Sequence, residues 1–323
     1  MQVSEQTGIP LEVATRLWQL MGFAHTEDDE VAFTSADVHA LRLSNDLIDL
    51  GILSPERQAA LVRTWGRSFA RLAEWQTSLL TTMALESDAD PAETLAQLTE
   101  QVLPRVEELQ SYVWRRHLVS AGGRMLAVAD PGAPSAAAAV VFVDIVGYTS
   151  HSKNLTEAEL VAWIEQFESE TTDLVIGAGG RIIKNIGDEV LFVVDDPVAA
   201  AVIALEMTRR GADEDDPYPA VRAGLSYGEV VNRLGDVFGP TVNIASRLTS
   251  VARPGSVLID HGAYEVLSGR RADDDDTGPP TASGAGRAAG DEAPYTFRRL
   301  RRISVKGYSR LAAWALRPRD GRS

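Results

Sequence analysis

Two aspartates stand next to apolar, strand-like runs, at positions where a carboxylate can do chemistry. Asp144 ends the run 140–143 and precedes a turn, and Asp188 lies at the tip of a predicted hairpin between two further runs. If these strands are neighbours in one sheet, the carboxylates meet at one edge and repel each other. A divalent cation relieves that repulsion while it organises a triphosphate, so the pair predicts a metal-dependent phosphate site.

A predicted helix over residues 240–251 carries two polar side chains on one face. Asn243 and Arg247 are four residues apart, so they project one turn from each other. Alone, this spacing is typical of a solvated helix face. Together with the two aspartates and Lys184, it favours a shared functional site. Three apolar residues can take the buried side of the helix: Val242, Ala245 and Leu248.

Alternating strands and helices must position these residues. The apolar periodicity predicts, in order, strand 139–144, helix 156–176, strands 181–185 and 189–194, helix 197–210, strand 221–231, helix 240–251, strand 256–259, a short helix near Tyr264, and strands 297–300 and 311–316. This order is the βαββαβ pattern of a ferredoxin-like α+β sandwich with additions. The stretch 270–294, with four consecutive aspartates, is predicted to be a disordered insertion.

The first 130 residues show helical spacing of apolar side chains and are predicted to be all-helical. Gly51 is typical of a helix C-cap, and Ser54 followed by Pro55 is typical of a helix start. A second long helix is predicted from about Pro91 to Met125, before a turn-prone segment. We therefore expect three parts: an all-helical regulatory or dimerisation domain over 1–130, a linker over 131–138, and a catalytic domain over 139–318.

Three runs of the sequence resemble the class III nucleotidyl cyclases. They are Val143-Asp-Ile-Val-Gly-Tyr-Thr149, Lys184-Asn-Ile-Gly-Asp188 and Gly235-Asp-Val-Phe-Gly-Pro-Thr-Val-Asn-Ile-Ala-Ser-Arg-Leu248. All six signature positions of the family are present in order, and the resemblance covers roughly residues 136–318. The helical part upstream is similar to the autoinhibitory N-terminal domain of soluble mycobacterial adenylate cyclases. The resemblance implies a catalytic domain that forms a cyclic nucleotide.

For the metal and phosphate sites, the resemblance implies particular residues. Asp144 and Asp188 would bind two Mg²⁺ or Mn²⁺ ions per active site, and Ile145 would add its backbone carbonyl. No side chain is an obvious general base, so metal activation of the ribose 3′-hydroxyl is the implied source of rate. Three backbone amides would face the triphosphate: those of Gly147, Tyr148 and Thr149.

The resemblance also implies how the substrate is read. Lys184 and Asp236 match the pair that binds the base. A lysine can donate to adenine N1 and a carboxylate can accept from the N6 amine, whereas guanine presents the reverse pattern; family members that use GTP carry Glu and Cys here. The implied substrate is therefore ATP. Asn243 would orient the ribose, Arg247 would stabilise charge on the α-phosphate, and Lys306 would contact the β- or γ-phosphate.

The family arrangement implies a homodimer. It places the metal-binding aspartates on one protomer and the lysine, aspartate, asparagine and arginine on the other, so a head-to-tail dimer would hold two equivalent sites. For regulation we expect the N-terminal domain to respond to a proton or a lipid. His117, near the end of the last N-terminal helix, is the candidate proton switch, because histidine ordinarily titrates at about pH 6.5.

Charge restricts the expected partners. The chain has 31 basic and 46 acidic residues, a net charge of −15, which disfavours a general electrostatic hold on nucleic acid. An alternative is a DNA-binding regulator with an N-terminal helix-turn-helix and a degenerate cyclase-like binding module. Residues 1–45 argue against it, because they hold seven acidic and two basic residues, a net charge of −5. No membrane span, signal peptide or cysteine is recognisable, so we expect a cytoplasmic protein.

Overall fold

The computed structural model describes residues 7–23, 34–127, 135–270, 294–305 and 308–319. Residue contacts divide the chain into two compact units, Met1–Ala129 and Asp130–Ser323. The described part of the first unit is helical, as predicted. Its helices are α1 (Leu11–Met21), α2 (Ser35–Asp49), α3 (Pro55–Leu85) and α4 (Pro91–Ala127).

Both long helices of the first unit begin at capped residues. Ser54 Oγ accepts a hydrogen bond from the amide of Arg57 (3.4 Å), and Pro55 takes the first helical position of α3, which confirms the predicted start. The carboxylate of Asp90 accepts from two amides of the first turn of α4 at 3.0 Å each. The predicted second helix is therefore present, and it reaches Ala127 rather than Met125.

The helical unit has a small core and a large exposed apolar surface. Six buried apolar side chains form the core: Ile9, Ala14, Leu17, Val38, Leu41 and Val62. Large apolar side chains such as Phe69 and Trp75 on α3 and Trp114 on α4 are more than half exposed. Across the described ranges, no helix is long and apolar enough to cross a membrane.

The second unit is built on one mixed sheet. Its strands are β1 (Ser135–Ile145), β2 (Arg181–Ile186), β3 (Glu189–Val194), β4 (Val221–Arg233), β5 (Asp236–Phe238), β6 (Val257–Asp260), β7 (Tyr295–Val305) and β8 (Tyr308–Pro318). Its helices are α5 (Tyr148–Ser152), α6 (Glu157–Gly177), α7 (Pro197–Arg210), α8 (Pro240–Val251) and α9 (His261–Ser268).

The sheet order is β2-β3-β1-β4-β6-β8-β7, with β5 paired to β4. β1 is antiparallel to both β3 and β4, and β4 and β6 are parallel. β1, α6, β2, β3, α7 and β4 form the βαββαβ unit, which confirms the predicted ferredoxin-like α+β fold. Because β1 and β3 are antiparallel, with Asp144 opposite Glu189, the C-terminal end of β1 lies beside the turn between β2 and β3.

The first strand corrects one expected boundary. β1 begins at Ser135, four residues before the predicted start, and Ser135 and Ala138 pair with Val231 and Gly228 of β4. The last part of the expected linker 131–138 is therefore strand. Alanine has a weak strand preference and residues 136–139 show no alternation, so only the pairing with the long strand β4 reveals this segment.

The sheet is buried on both faces. Val141 and Val143 of β1 pack with Phe192 in one apolar cluster. The same cluster contains buried residues of α6 and α7. Val140 and Phe142 point to the opposite face, into a second cluster that includes Ala245 of α8. These alternating side chains fix the register of β1, since a slip of one residue would exchange the two faces.

Helix α8 lies unusually close to β4. A Cβ atom at Gly224 would lie 2.4 Å from the carbonyl oxygen of Ala245 and 2.4 Å from the amide nitrogen of Thr249. The hydroxyl of Thr249 also donates to the carbonyl of Phe142 on β1 (3.2 Å). The helix that carries Asn243 and Arg247 is therefore held at a fixed distance from the sheet.

The structure adds two short elements that the sequence did not predict, α5 and β5. Each is short enough to lack a recognisable period, so no pattern of five or three residues could indicate it. The predicted insertion 270–294 lies, apart from its end residues, outside the described residues.

Candidate active site

The two aspartates meet at one edge of the sheet, as their positions predicted. Asp144 is the next-to-last residue of β1, and Asp188 lies in the turn between β2 and β3. The amide of Ile145 donates to the backbone carbonyl of Asp188 (3.1 Å), which ties the end of β1 to that turn. The three predicted metal-binding residues therefore form one group.

The charges around Asp144 come from both neighbouring strands. Asp144 is paired in register with Glu189 on β3 and with Arg222 on β4. Arg222 donates from Nε to Asp144 Oδ2 (2.6 Å), and its Nη2 lies 2.5 Å from the same oxygen. Burial raises the pKa of Asp144 although Arg222 opposes the shift. Burial, and then repulsion from Asp144 and Asp188, raises the pKa of Glu189 to about 7.

This group suits a hard divalent cation. Its donors are carboxylate and carbonyl oxygens, which Mg²⁺ and Mn²⁺ prefer. Burial is the main cause of the raised pKa values of Asp144 and Glu189, and repulsion among neighbouring carboxylates adds to it; a bound cation would favour the charged forms of both groups. Among the residues that the structure describes, no cluster of three or more His, Asp or Glu side chains could hold a metal by itself.

Sequence reasoning missed Arg222 and Glu189. Each is a charged residue at the start of an apolar strand, which was the available signal. Their role depends on the pairing of strands far apart in sequence, since Arg222 lies 78 residues from Asp144. No local sequence pattern predicts the register in which β4 pairs with β1.

We predict that Arg222→Gln destabilises the cation-free protein. The change leaves the Asp144 carboxylate, which is 13% exposed, without its positive partner beside two further carboxyl groups. We expect the free energy of unfolding to fall by about 1–3 kcal/mol, and Tm to fall by roughly 2–4 °C for each kcal/mol. Thermal unfolding in EDTA and in excess Mg²⁺ measures it, and Mg²⁺ should restore more stability to the variant than to the wild type.

Arg209→Gln is the matched control for this prediction. Arg209 also pairs with a carboxylate, Glu206, but its side chain is 61% exposed. Exposed pairs of this kind contribute about 0–1 kcal/mol. An equal loss of stability in both variants would contradict a special role for Arg222.

The loop after β1 turns sharply into α5. Gly147 has φ 71°, a left-handed conformation that favours glycine, and its carbonyl accepts from the amides of Ser150 and His151 at 3.0 Å each. Tyr148 is partly buried against the main core, and Thr149 is exposed. The predicted triphosphate loop therefore starts directly after the metal-binding group.

The predicted base-reading residues form an ion pair. Lys184 on β2 donates from Nζ to Asp236 Oδ2 (2.6 Å), although the residues are 52 positions apart. Oδ1 of Asp236 accepts from the amide of Val237 (2.8 Å), so the carboxylate has a fixed orientation. Both side chains remain partly exposed, at 41% and 30%. The pair is therefore open to a ligand.

Helix α8 presents the remaining predicted residues. Asn243 is exposed and Arg247 is partly exposed, whereas Ala245 and Leu248 are buried, so the predicted faces of the helix are confirmed. Strand β5 packs against both β2 and α8. Lys184 and Asp236 therefore lie on elements that adjoin one another and α8, and these two residues, with Asn243 and Arg247, are called the second group of the site.

Two predicted residues, Lys306 and His117, remain. Lys306 lies outside the described residues. His117 is exposed on α4, in the helical unit, and follows two exposed arginines, Arg115 and Arg116.

Comparison with known proteins identifies the family of the second unit. Residues 132–316 match the family described as the adenylate and guanylate cyclase catalytic domain. A Streptomyces coelicolor protein named adenylate cyclase is 37% identical over 329 residues, covering 99% of this chain and 86% of the relative. An adenylate cyclase of Glutamicibacter nicotianae is 37% identical over 278 residues, covering 80% and 69%. A Mycobacterium tuberculosis protein named pH-sensitive adenylate cyclase is 31% identical over 278 residues, covering 82% and 69%.

Solved structures include the adenylyl cyclase CyaB from P. aeruginosa, with a TM-score of 0.44 and 22% identity over 58% of this chain and 97% of that one. The matched domain defines an enzyme family that acts on nucleotides. The chain belongs to the adenylate and guanylate cyclase family, the class III nucleotidyl cyclases.

Proposed function

We propose that the protein is an adenylate cyclase, which converts ATP to 3′,5′-cyclic AMP and pyrophosphate. The 3′-hydroxyl oxygen attacks the α-phosphorus, the bond to the β-phosphate oxygen breaks, and the hydroxyl proton is lost to solvent. The observation that carries the choice of ATP is the Lys184–Asp236 pair. Relatives named adenylate cyclase support the same substrate.

The metal-binding group would hold the triphosphate end of the reaction. Asp144 and Asp188 would bind two Mg²⁺ or Mn²⁺ ions together with the carbonyl of Ile145. When bound, the ions supply positive charge that activates the 3′-hydroxyl and neutralises the phosphates. Mg²⁺ commonly binds one or two carboxylates and completes its shell with substrate phosphates, which suits a group that has two aspartates. The loop from Gly147 to Thr149 would offer its amides to the phosphates.

The second group would read the nucleoside. Lys184 would donate to adenine N1, and Asp236 would accept from the N6 amine. Asn243 would orient the ribose, and Arg247, one turn further along α8, would stabilise the charge that develops on the α-phosphate. Lys306 would contact the β- or γ-phosphate.

We further propose that each site is shared between two copies of the chain. Asp144 and Asp188 would come from one protomer, and Lys184, Asp236, Asn243 and Arg247 from its partner. A twofold head-to-tail homodimer then contains two equivalent sites. Two contacts within one chain support this division: the end of β1 bonds to Asp188, and Lys184 bonds to Asp236.

We predict that Lys184→Glu combined with Asp236→Cys reverses the base preference. Glutamate can accept from guanine N1–H and the thiol can donate to O6, whereas adenine would face unpaired polar groups. We expect the ratio of kcat/KM for ATP to that for GTP to fall by about 100-fold or more. Steady-state assays with both nucleotides and chromatographic identification of the products measure this ratio, and an unchanged ratio would contradict the assignment.

The helical unit is proposed to regulate the catalytic unit in response to a proton or a lipid. His117 is the residue proposed to sense the proton, because histidine is the side chain that ordinarily changes charge close to physiological pH. His117→Ala should then flatten the activity profile between about pH 5.5 and 8 relative to the full wild-type chain. Coincident profiles would remove His117 from the mechanism.

A further inference from the structure

Two aromatic rings of helix α5, those of Tyr148 and His151, pack against one tryptophan, Trp163. The rings of Tyr148 and Trp163 are stacked, with centroids 6.0 Å apart and an interplanar angle of 14°. The ring of His151 is tilted over the same tryptophan at 4.6 Å. Tyr148 and His151 both lie on α5, and Trp163 lies on α6. Trp163 therefore contacts two residues of α5, the short helix whose first turn overlaps the Gly147–Thr149 loop.

Helix α5 has little means of holding its own position. It has five residues, and Gly147 at its N-cap provides no side-chain hydrogen bond. A helix of this length is marginal by itself in water, because few hydrogen bonds offset the ordering of its backbone. The loop before it also contains the left-handed Gly147. Its geometry must therefore depend on tertiary contacts.

Helix α6, in contrast, is firmly anchored. Its first turn is closed by a capping box between Thr156 and Glu159. Phe167 and Thr171 are buried against the sheet, and the Thr171 hydroxyl is hydrogen-bonded to that of Tyr218 at 2.8 Å. Trp163 lies one turn before Phe167 and packs against the same core. Trp163 therefore links the short helix α5 to the well-anchored helix α6.

We propose that Trp163 is a positioning residue for substrate binding, which holds the Gly147–Thr149 loop in the shape that receives the triphosphate. This inference rests on the proposed function, because that function places the triphosphate at the loop. Aromatic contacts of this kind each contribute about 0.5–1.5 kcal/mol beyond the burial of area. Two such contacts on a five-residue helix therefore contribute to its orientation, together with the packing of Tyr148 against the core.

The test compares Trp163→Leu with Trp163→Phe. Leucine keeps an apolar side chain against the core but removes the ring, whereas phenylalanine keeps a ring that can stack. We expect Trp163→Leu to raise the KM for ATP about tenfold with a smaller change in kcat, since a displaced loop loses substrate contacts before chemistry begins. Trp163→Phe should recover most of the loss.

Phe167→Leu is the matched control, because Phe167 lies on the same helix, is buried, and has its ring contact with Tyr218. It should lower Tm without raising the KM. A KM in Trp163→Leu no higher than in Phe167→Leu would overturn the proposal, as would a failure of Trp163→Phe to recover it.

Hydrogen exchange provides a measurement that does not depend on turnover. The amides of Ser150 and His151, which bond to Gly147, should exchange faster in Trp163→Leu than in the wild type and the Phe167→Leu control. Unchanged exchange would overturn the positioning role even if the enzyme is active. A wild-type protein that makes no cyclic AMP would instead refute the proposed function, and the exchange comparison would still decide whether Trp163 holds α5.

Discussion

Asp144→Asn should reduce kcat for cyclic AMP formation by on the order of 10³-fold while the protein stays folded. The change removes one of the two carboxylates that would bind the cations and so, in the proposed mechanism, would activate the 3′-hydroxyl. The amide keeps an oxygen that can still accept from Arg222, so the strand end remains paired. The measurement is product formation at saturating ATP and Mn²⁺, with circular dichroism and thermal unfolding to verify the fold.

Asp195→Asn is the control for this prediction. Asp195 is exposed and directly follows β3, at the opposite end of the strand from Asp188. The same chemical change there should leave kcat near the wild-type value. Wild-type activity in Asp144→Asn would show that the proposed metal-binding role is wrong.

An equal mixture of Asp144→Asn and Arg247→Ala proteins should recover activity that neither protein has alone. If sites are shared, each heterodimer has one site with both changes and one site with neither. Random exchange of protomers makes about half of the dimers mixed, so about a quarter of the wild-type activity is expected. The measurement is cyclic AMP formation after the two proteins have been mixed and allowed to exchange.

The complementation experiment needs a direct count of mixed dimers. Different affinity tags on the two variants allow the heterodimer to be isolated and assayed by itself. A purified heterodimer without activity would contradict the shared site. Mixing two preparations of Asp144→Asn, which can form no intact site, should give no recovery.

The sequence predicted the helices and strands better than it predicted how distant strands and helices pair and pack. The order of strands and helices in the catalytic unit, the capped start of α3 at Ser54 and the two faces of α8 follow from periods and caps that are local in sequence. The approach of Asp144 to Asp188 could also be expected, since it required only that β1 and β3 be neighbours.

What the sequence did not predict depends on pairing between distant segments. Arg222 contacts Asp144 because β4 pairs with β1 in one particular register, and no property of residues 221–223 alone fixes that register. The alanines at the start of β1 are strand only because β4 is long enough to pair with them. The contact of Trp163 with α5 likewise depends on how α6 lies on the sheet.

The missing side chain of Gly224 sets the spacing between β4 and α8, the helix that carries the proposed substrate residues Asn243 and Arg247. An alanine there would need ordinary contact of at least 3.4 Å where only 2.4 Å is present, so the helix backbone would have to retreat by about 1 Å. Asn243 and Arg247 would move together, since they share that backbone. Displacements of this size can cost about 100-fold in rate. Any engineering of the proposed substrate contacts of Asn243 and Arg247 should therefore include Gly224, although it lies on the opposite side of the helix from them.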